Sequence, residues 1–299
     1  MHLLEAGKKY VCDFHCHSNH SDGKLSRKQV ILNAIEQNPG AIPIMALTDH
    51  NVSFHDMEEL QEEFQGQALL ISGSEISTTY HVPGSTRKVE VHIIALDYQL
   101  DHPKMLAMLK NNIHDKRGDI ELILAKLENL GFHVVDSYEE LEEYVKPSKH
   151  VGRMAIARKM FEKEMVESID AAFDKYFGSY GERRCYVDSQ VDYVSIEEAV
   201  QTTLEAGGIP VLCHPYFYSL EDHQLRELIR VFKAAGGLAM EVEYGFYTPE
   251  QRVALKELAE EYELEISCGS DYHGNAHERL DHQFPVKIYE GLMALKEKL

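Results

Sequence analysis

An α/β fold interrupted by an inserted, mainly helical segment is what this 299-residue sequence predicts. Three observations lead there. Short apolar runs alternate with amphipathic stretches on both sides of the chain's middle, the pattern of strands joined by crossover helices in a parallel sheet. Residues 101–185 break that rhythm and carry few strand signals. Histidines and acids at metal-ligand spacing fall at or just after strand ends, where closed parallel barrels place their chemistry.

Tyr10–His17 reads as the first strand, and Ser26-Arg27-Lys28-Gln29 as a capping box opening a helix toward Glu36. Ile42–Leu47 is the second strand and ends at Thr48-Asp49-His50; Ser53-Phe54-His55-Asp56 starts the next helix. Leu69–Ser72 and Val89–Leu96 read as further strands. Helix follows helix from Met105 to Phe177, with Gly131 as one stop signal. Alternation resumes with a helix from Ser195 to Gly207-Gly208 and a strand over Ile209–Cys213. A helix near Leu220–Ala235, a strand over Leu238–Val242, a helix opened by Thr248-Pro249-Glu250-Gln251 and a strand over Leu264–Ser267 complete the pattern. The expected division is therefore a barrel from residues 1–100 and 186–299, with 101–185 as a helical insertion over the site.

Composition removes several function classes. A formal charge of −20 argues against an extended duplex-binding surface, which needs spread lysines and arginines to release counterions. No stretch approaches the ~20 apolar residues of a membrane span. Five cysteines without framework spacing, and an N-terminus without a basic region followed by an apolar core, lead to the expectation of a reducing, cytoplasmic setting.

The chemistry sits in separate motifs. In an extended segment, side chains at i and i+2 share a face, so His15 and His17 point together and Cys16 points away. Asp271 and His273 repeat that geometry. Asp22, His50, Glu75, His92 and His214 bring the set to nine with His15, His17, Asp271 and His273, too many for one ion. Imidazole with carboxylate suits zinc, manganese or iron, so a multinuclear hydrolase with two to three divalent ions is expected. One arrangement gives His15, His17, Glu75 and Asp271 to a first ion, Glu75, His92 and His214 to a second, and Asp22, His50 and His273 to a third. Glu75 then bridges, because a carboxylate has two oxygens. His92 is preferred over His81, which stands before a Pro-Gly turn. His20, His55, His114, His150, His223, His277, His282 and the Arg183-Arg184 pair read as surface or supporting residues, and Cys12, Cys213 and Cys268 as packing residues on strands.

The segments Asp13–Gly23, Thr48–His50, Gly73–Glu75, Cys213–Pro215 and Gly269–Gly274, in that order, resemble the polymerase and histidinol phosphatase (PHP) superfamily. The resemblance implies a distorted (β/α)7 barrel and a metal-dependent phosphoesterase. Gly207–Pro215 and Thr248–Gln251 are similar to the stand-alone branch, whose members remove the 3′-phosphate of nucleoside 3′,5′-bisphosphates or trim RNA from its 5′ end. Two departures bear on substrate. The branch tends to carry Gly-Arg-Pro-His where this chain has Gly152-Arg153-Met154-Ala155, and often a histidine where this chain has Glu243-Tyr244-Gly245-Phe246.

The expected reaction is hydrolysis of a phosphomonoester of a nucleotide or short RNA end by metal-activated hydroxide. His214, His273 and Asp271 are the expected catalytic groups, and Arg117 and Arg153 the expected phosphate contacts, since a guanidinium fork fits phosphate. Tyr216-Phe217-Tyr218 suits either ring stacking or loop packing. A phosphorylated small molecule or short oligonucleotide is the expected partner, with no extended duplex, membrane or obligate protein. Alternatives are a histidinol-phosphate-type phosphatase, an amidohydrolase cleaving a C–N bond, and an idle metal-binding scaffold. Amidohydrolase barrels commonly bridge two ions with a modified lysine, so Glu75 at the bridge favours phosphate.

Overall fold

The computed structural model describes residues 4–298, apart from positions 115, 147–150, 178–181, 183, 188–190 and 276–277. His150, His277 and Arg183 therefore lie outside the described residues.

Strand β1 (Tyr10–Cys16) leads to helix α1 (Arg27–Gln37), whose capping box is formed by Ser26 and Gln29 as the sequence implies. Then follow β2 (Ile42–Leu47), α2 (Met57–Glu63) and β3 (Leu69–Ile71). Next comes a long hairpin of β4 (Gly73–His81) and β5 (Lys88–Leu96). Its two strands pair antiparallel in unbroken register from Gly73 opposite Leu96 to His81 opposite Lys88. The helical stretch holds α3 (Pro103–Asn111), α4 (Arg117–Asn129), α5 (Tyr138–Tyr144), α6 (Arg153–Glu162) and α7 (Ile169–Ala172), which runs into a π-helical turn over Phe173–Phe177. The second alternating half is α8 (Ile196–Glu205), β6 (Ile209–Leu212), α9 (Asp222–Ala234), β7 (Ala239–Tyr244), α10 (Pro249–Glu261) and β8 (Glu265–Gly269). A short β9 (Phe284–Pro285) and α11 (Lys287–Lys296) close the chain.

The expected closed barrel is met only in part. Among the described residues the ladders form two sheets, β3-β2-β1-β9 and β4-β5-β6-β7-β8. The pairings β4–β5 and β5–β6 are antiparallel, because a hairpin replaces a crossover there. The sheets meet at two seams. Single bridges join Cys16 to Tyr272 at one and His50 to Glu75 at the other. Both seams carry site residues, so the places where the ladder opens are also the places where polar side chains collect.

The apolar layer beneath contains Cys12, Phe14, Cys213 and Cys268, with Ile288, Leu292 and Met293 of α11 packed on it. Helix α3 lends Met105, Met108 and Leu109 to the main core under β4 and β5. A separate apolar cluster begins at Ile120 of α4 and includes Leu127, Leu141, Ile156, Met160 and Phe177. Among the described residues no helix is long and apolar enough to cross a membrane.

Candidate metal centre

Irregular backbone sets the candidate ligands in place. The β1–β2 register slips between Asp13 and Cys16, and the β7–β8 register between Glu241 and Glu243. Such slips re-aim side chains. His214, just after β6, and Asp271, just after β8, sit at φ +22° and +54°. Non-glycine residues in this region carry a backbone cost that tends to be found at functional sites. Close packing holds the floor tight. A Cβ on Gly269 would stand 2.2 Å from the His15 Cβ and 2.5 Å from Glu241 Oε1, so only glycine lets β8 approach β1 here.

Glu75, 1% exposed, is the hub. Its Oε1 lies 3.3 Å from His15 Nε2, 2.8 Å from His92 Nδ1 and 3.1 Å from His214 Nε2. Its Oε2 lies 3.2 Å from His17 Nε2 and 3.0 Å from His50 Nδ1. One oxygen thus faces one group of imidazoles and the other a second group, as a bridging carboxylate requires. Asp271 Oδ1 stands 3.1 Å from His17 Nε2 and 3.4 Å from His15 Nε2. His273 Nε2 is 3.3 Å from Asp22 Oδ1.

Four overlapping groups have donor atoms within 4.8 Å of one another: His17, Asp22, His50 and His273; His15, His17 and Glu75; His15, His214 and Asp271; and His50, Glu75 and His92. All nine residues expected from sequence come together. The expected partition is not reproduced: His17 joins the Asp22 group as well as the Glu75 group, His50 also joins Glu75 and His92, and His214 groups with His15 and Asp271.

These donors fit divalent ions better than they fit each other. His15 Nε2, His17 Nε2, His92 Nδ1 and Glu75 Oε2 are buried and make no hydrogen bond, although opposite partners stand close by. Lone pairs aimed at a shared point, rather than along mutual hydrogen bonds, have the geometry of a ligand cage. Burial disfavours charge on His17, but Asp271 and Glu75 outweigh it and push its pKa up to about 10. The same contest, with Glu75 and Glu90 prevailing, takes His92 to about 9. Burial also opposes protonation of His15, yet Glu241, Glu75 and Asp271 hold it well above an ordinary imidazole. His50 goes the other way, held well below its usual value mainly by burial. Burial raises Glu75, Asp22 and Asp271, but the surrounding imidazoles bring all three well below the usual carboxylate range.

Several groups that orient the ligands were not singled out from sequence. Glu241, fully buried on β7, accepts from His15 Nδ1 (3.0 Å) and from the His214 amide (2.8 Å). That contact leaves His15 Nε2 to face the centre. Glu90 lies 3.2 Å from His92 Nε2 and is itself held by Lys116 Nζ at 2.9 and 3.1 Å. The Tyr244 hydroxyl donates to Asp271 Oδ2 (2.6 Å). Buried Arg27 forks onto Asp49, which accepts from Ser18 and Ser21 in the loop bearing Asp22. Glu278 accepts from the His273 amide (2.6 Å), and Arg158 of α6 donates to the His273 carbonyl (3.3 Å). Partners of this kind are worth about 10- to 100-fold in metal affinity. Glu241→Ala is therefore expected to weaken manganese binding by that factor in a chelator competition, with Glu241→Gln less affected. Unchanged affinity in both variants would remove the orienting role.

A cavity of about 590 Å³ opens above the cluster. Asp22, His50, Glu75, His92, His214, Asp271 and His273 line it, together with Ile120, Ile123, Arg153, Met154 and Phe173 of the helical stretch. Arg153 thus reaches the cavity, and its guanidinium also donates to the Phe177 carbonyl (3.3 Å). Arg117 does not line the cavity, which corrects the sequence expectation. It occupies the outer face of α4, paired with Glu121 at 2.9 Å and with Glu139, and stacked on Tyr138. The inward basic residue is its neighbour Lys116.

No family model matches the chain. Among curated proteins it is 34% identical over 269 residues to a 5′-3′ exoribonuclease of Haemophilus influenzae, covering 89% of this chain and 90% of that protein. It is 28% identical over 263 residues to a 3′,5′-nucleoside bisphosphate phosphatase of Chromobacterium violaceum, covering 87% of this chain and 86% of that one. A solved structure from Chromobacterium violaceum, described as an amidohydrolase with bound sulfate and no metal, aligns with a TM-score of 0.74 at 26% identity, covering 95% of this chain and 96% of that one.

Proposed function

Because the chain belongs to the PHP phosphoesterases, in the branch of the 5′-3′ exoribonucleases and nucleoside 3′,5′-bisphosphate phosphatases, we propose that it hydrolyses a phosphomonoester of a nucleotide or of a short RNA end, with two or three divalent ions bound in the cluster around Glu75. The chain is a hydrolase acting on phosphoric ester bonds. One observation carries the site assignment: both oxygens of a buried carboxylate are surrounded by separate groups of imidazoles.

His15, His17, Asp22, His50, Glu75, His92, His214, Asp271 and His273 are the residues that would hold the ions. Manganese, iron and zinc all suit such donors. Bound ions would supply Lewis acidity and make water acidic enough to attack near neutral pH. The chain's own contribution is placement. Glu241, Glu90 and Tyr244 fix the orientation of His15, His92 and Asp271. His214 and His273 line the cavity, which sets two of the ligand residues against the substrate. Arg153 is assigned to a substrate phosphate, and residues 101–185 to an insertion that covers the substrate and limits water. Five buried, unbridged cysteines fit a reducing compartment, and we propose the cytoplasm. C–N cleavage is less well supported. Glu75 stands where a modified lysine would bridge, and Lys116 is committed to Glu90.

The test is phosphate release after metal removal and manganese reconstitution. The panel holds a nucleoside 3′,5′-bisphosphate, a 5′-phosphorylated short RNA, histidinol phosphate and an aryl phosphate, with Asp271→Ala as control. Manganese-dependent release from a nucleotide or RNA end, lost in the control, is expected. Release from histidinol phosphate alone would replace the substrate class. Silence across the panel, despite bound ions, would move the reaction to C–N bonds.

A further inference from the structure

The helices over the cavity have a core of their own. Among the described residues, every buried member of the apolar cluster under α4–α7 lies between Ile120 and Cys185, so no strand of either sheet shares it. Chain entry and exit are tied at one point. Buried Asn112, at the end of α3, donates to Asn51 Oδ1 (2.8 Å) and to the Ser77 carbonyl (2.7 Å), and accepts from the Val194 amide (3.0 Å) just before α8. Relative motion is the default for a unit with its own core and a polar junction, unless contacts elsewhere hold it.

Two cations make such contacts, and each leads to a candidate ligand. Lys116, at the start of α4, places Nζ 2.9 and 3.1 Å from the Glu90 carboxylate oxygens and 5.2 Å from the Tyr193 ring centroid. Glu90 Oε1 is 3.2 Å from His92 Nε2, while His92 Nδ1 faces Glu75 at 2.8 Å. In the neutral ring that a metal requires, a carboxylate at Nε2 keeps the proton there and leaves Nδ1 for an ion. Arg158, inside α6 and buried, donates through Nε to Asn275 Oδ1 (3.2 Å) and through Nη2 to the His273 carbonyl (3.3 Å). The Asn275 side chain and the His273 amide in turn converge on Glu278. His92 and His273 belong to different groups of candidate ligands, so the two cations reach separate parts of the cluster.

We propose that Lys116 and Arg158 are positioning residues through which the helical insertion and the ions stabilise one another, an inference that rests on the ligand assignment above. Docked helices hold His92 and His273 in the orientation that ligation needs. Bound ions, by fixing those imidazoles, hold the helices down. The coupling is reciprocal, so the factor by which docking strengthens metal binding is the factor by which metal strengthens docking. The insertion is thus part of the metal centre as well as its cover, and removal of the ions is expected to loosen it over the cavity.

The experiment has two arms, both on the full chain. In the first, manganese affinity is measured by chelator competition for the wild type, Lys116→Met, Lys116→Arg, Arg158→Met and Arg117→Met. Lys116→Met and Arg158→Met are each expected to weaken binding by about tenfold, the lower end of what ligand-orienting partners contribute. Lys116→Arg is expected to recover most of that loss by pairing with Glu90. Arg117→Met controls for the simple loss of a cation at the start of α4, since Arg117 pairs with Glu121 and Glu139 outside the cavity; it is expected to bind manganese as the wild type does. In the second arm, amide exchange over α4–α6 is followed by mass spectrometry with and without manganese, with α10 as reference. Manganese is expected to slow exchange in α4–α6 by roughly 5- to 150-fold, the usual range of coupling between sites, and to leave α10 unchanged. The slowing is expected to vanish when Lys116→Met and Arg158→Met are combined. Equal exchange with and without manganese in a wild type that binds the metal would overturn the linkage and leave the ligand set standing. So would an Arg117→Met variant weakened as much as Lys116→Met. A wild type that binds no manganese would overturn the ligand assignment, and the linkage with it. The wild-type exchange arm needs no variant, so it decides the proposal even where a substitution prevents folding.

Discussion

Glu75→Ala is expected to lower phosphate release by at least about a thousandfold, since ions of this kind stabilise several kcal/mol of developing charge and each 1.36 kcal/mol is tenfold in rate. Among the described residues no other touches as much of the cluster. Its two oxygens stand within 3.3 Å of His15, His17, His50, His92 and His214. The variant is also expected to bind at least one manganese fewer, measured by metal analysis after desalting. Stability should separate from activity in a pH-dependent way. In the metal-free protein this carboxylate, together with Asp271 at His17 and Glu90 at His92, holds both rings protonated against burial. Its removal leaves buried positive charge that costs about 3–5 kcal/mol unless the rings give up their protons. Loss of stability on urea unfolding should therefore be larger at pH 6 than at pH 9, where the rings can deprotonate cheaply. Full metal content and near-normal turnover in Glu75→Ala would show that the hub assignment is wrong.

The candidate ligands were legible because local spacing decides them. Residues two apart in a strand share a face whatever the rest of the chain does, so His15 and His17 could be paired before folding, whereas Asp271 and His273 lie past β8, with Asp271 at φ +54°, and enter different ligand groups. The residues that orient them were not legible. Glu241 lies in a strand whose acids look like ordinary polar positions, and only the approach of β8 over Gly269 brings it to His15. Arg117 and Lys116 illustrate a different limit. Adjacent residues at a helix start differ by about 100° in direction, so the choice between them turns on where α4 begins. The strand bearing Glu75 had its own signals, β-branched Ile76, Thr78 and Thr79 before a Pro-Gly turn. Hairpin pairing of β4 with β5 sets a strand order that alternation alone does not encode, and it is why the ladders divide into two sheets.

Metal uptake is expected to drive protons out of the protein, and its affinity to rise steeply with pH. An ion needs neutral imidazole and ionised carboxylate. The carboxylates are ready, since Glu75, Asp22 and Asp271 stay ionised far below neutrality. The imidazoles are not. His17 holds its proton to about pH 10 and His92 to about pH 9, so at pH 7.5 both must be displaced. With His15 also held well above an ordinary imidazole, at least two protons are exchanged, and affinity should climb by roughly ten thousandfold or more between pH 6 and pH 8. Calorimetry in buffers of different ionisation enthalpy reads the number of protons directly. A binding enthalpy that is the same in every buffer would mean that the rings are already neutral. The metal-free protein has a matching signature of opposite sign. Because these two imidazoles have folded pKa values above the ordinary value, their contribution to stability is complete below about pH 6.5 and disappears as pH climbs through about 9 and 10. Alkaline conditions thus weaken the metal-free fold and strengthen the loaded one. The gap between their unfolding midpoints should widen from pH 6 to pH 9, which a thermal melt with and without manganese measures.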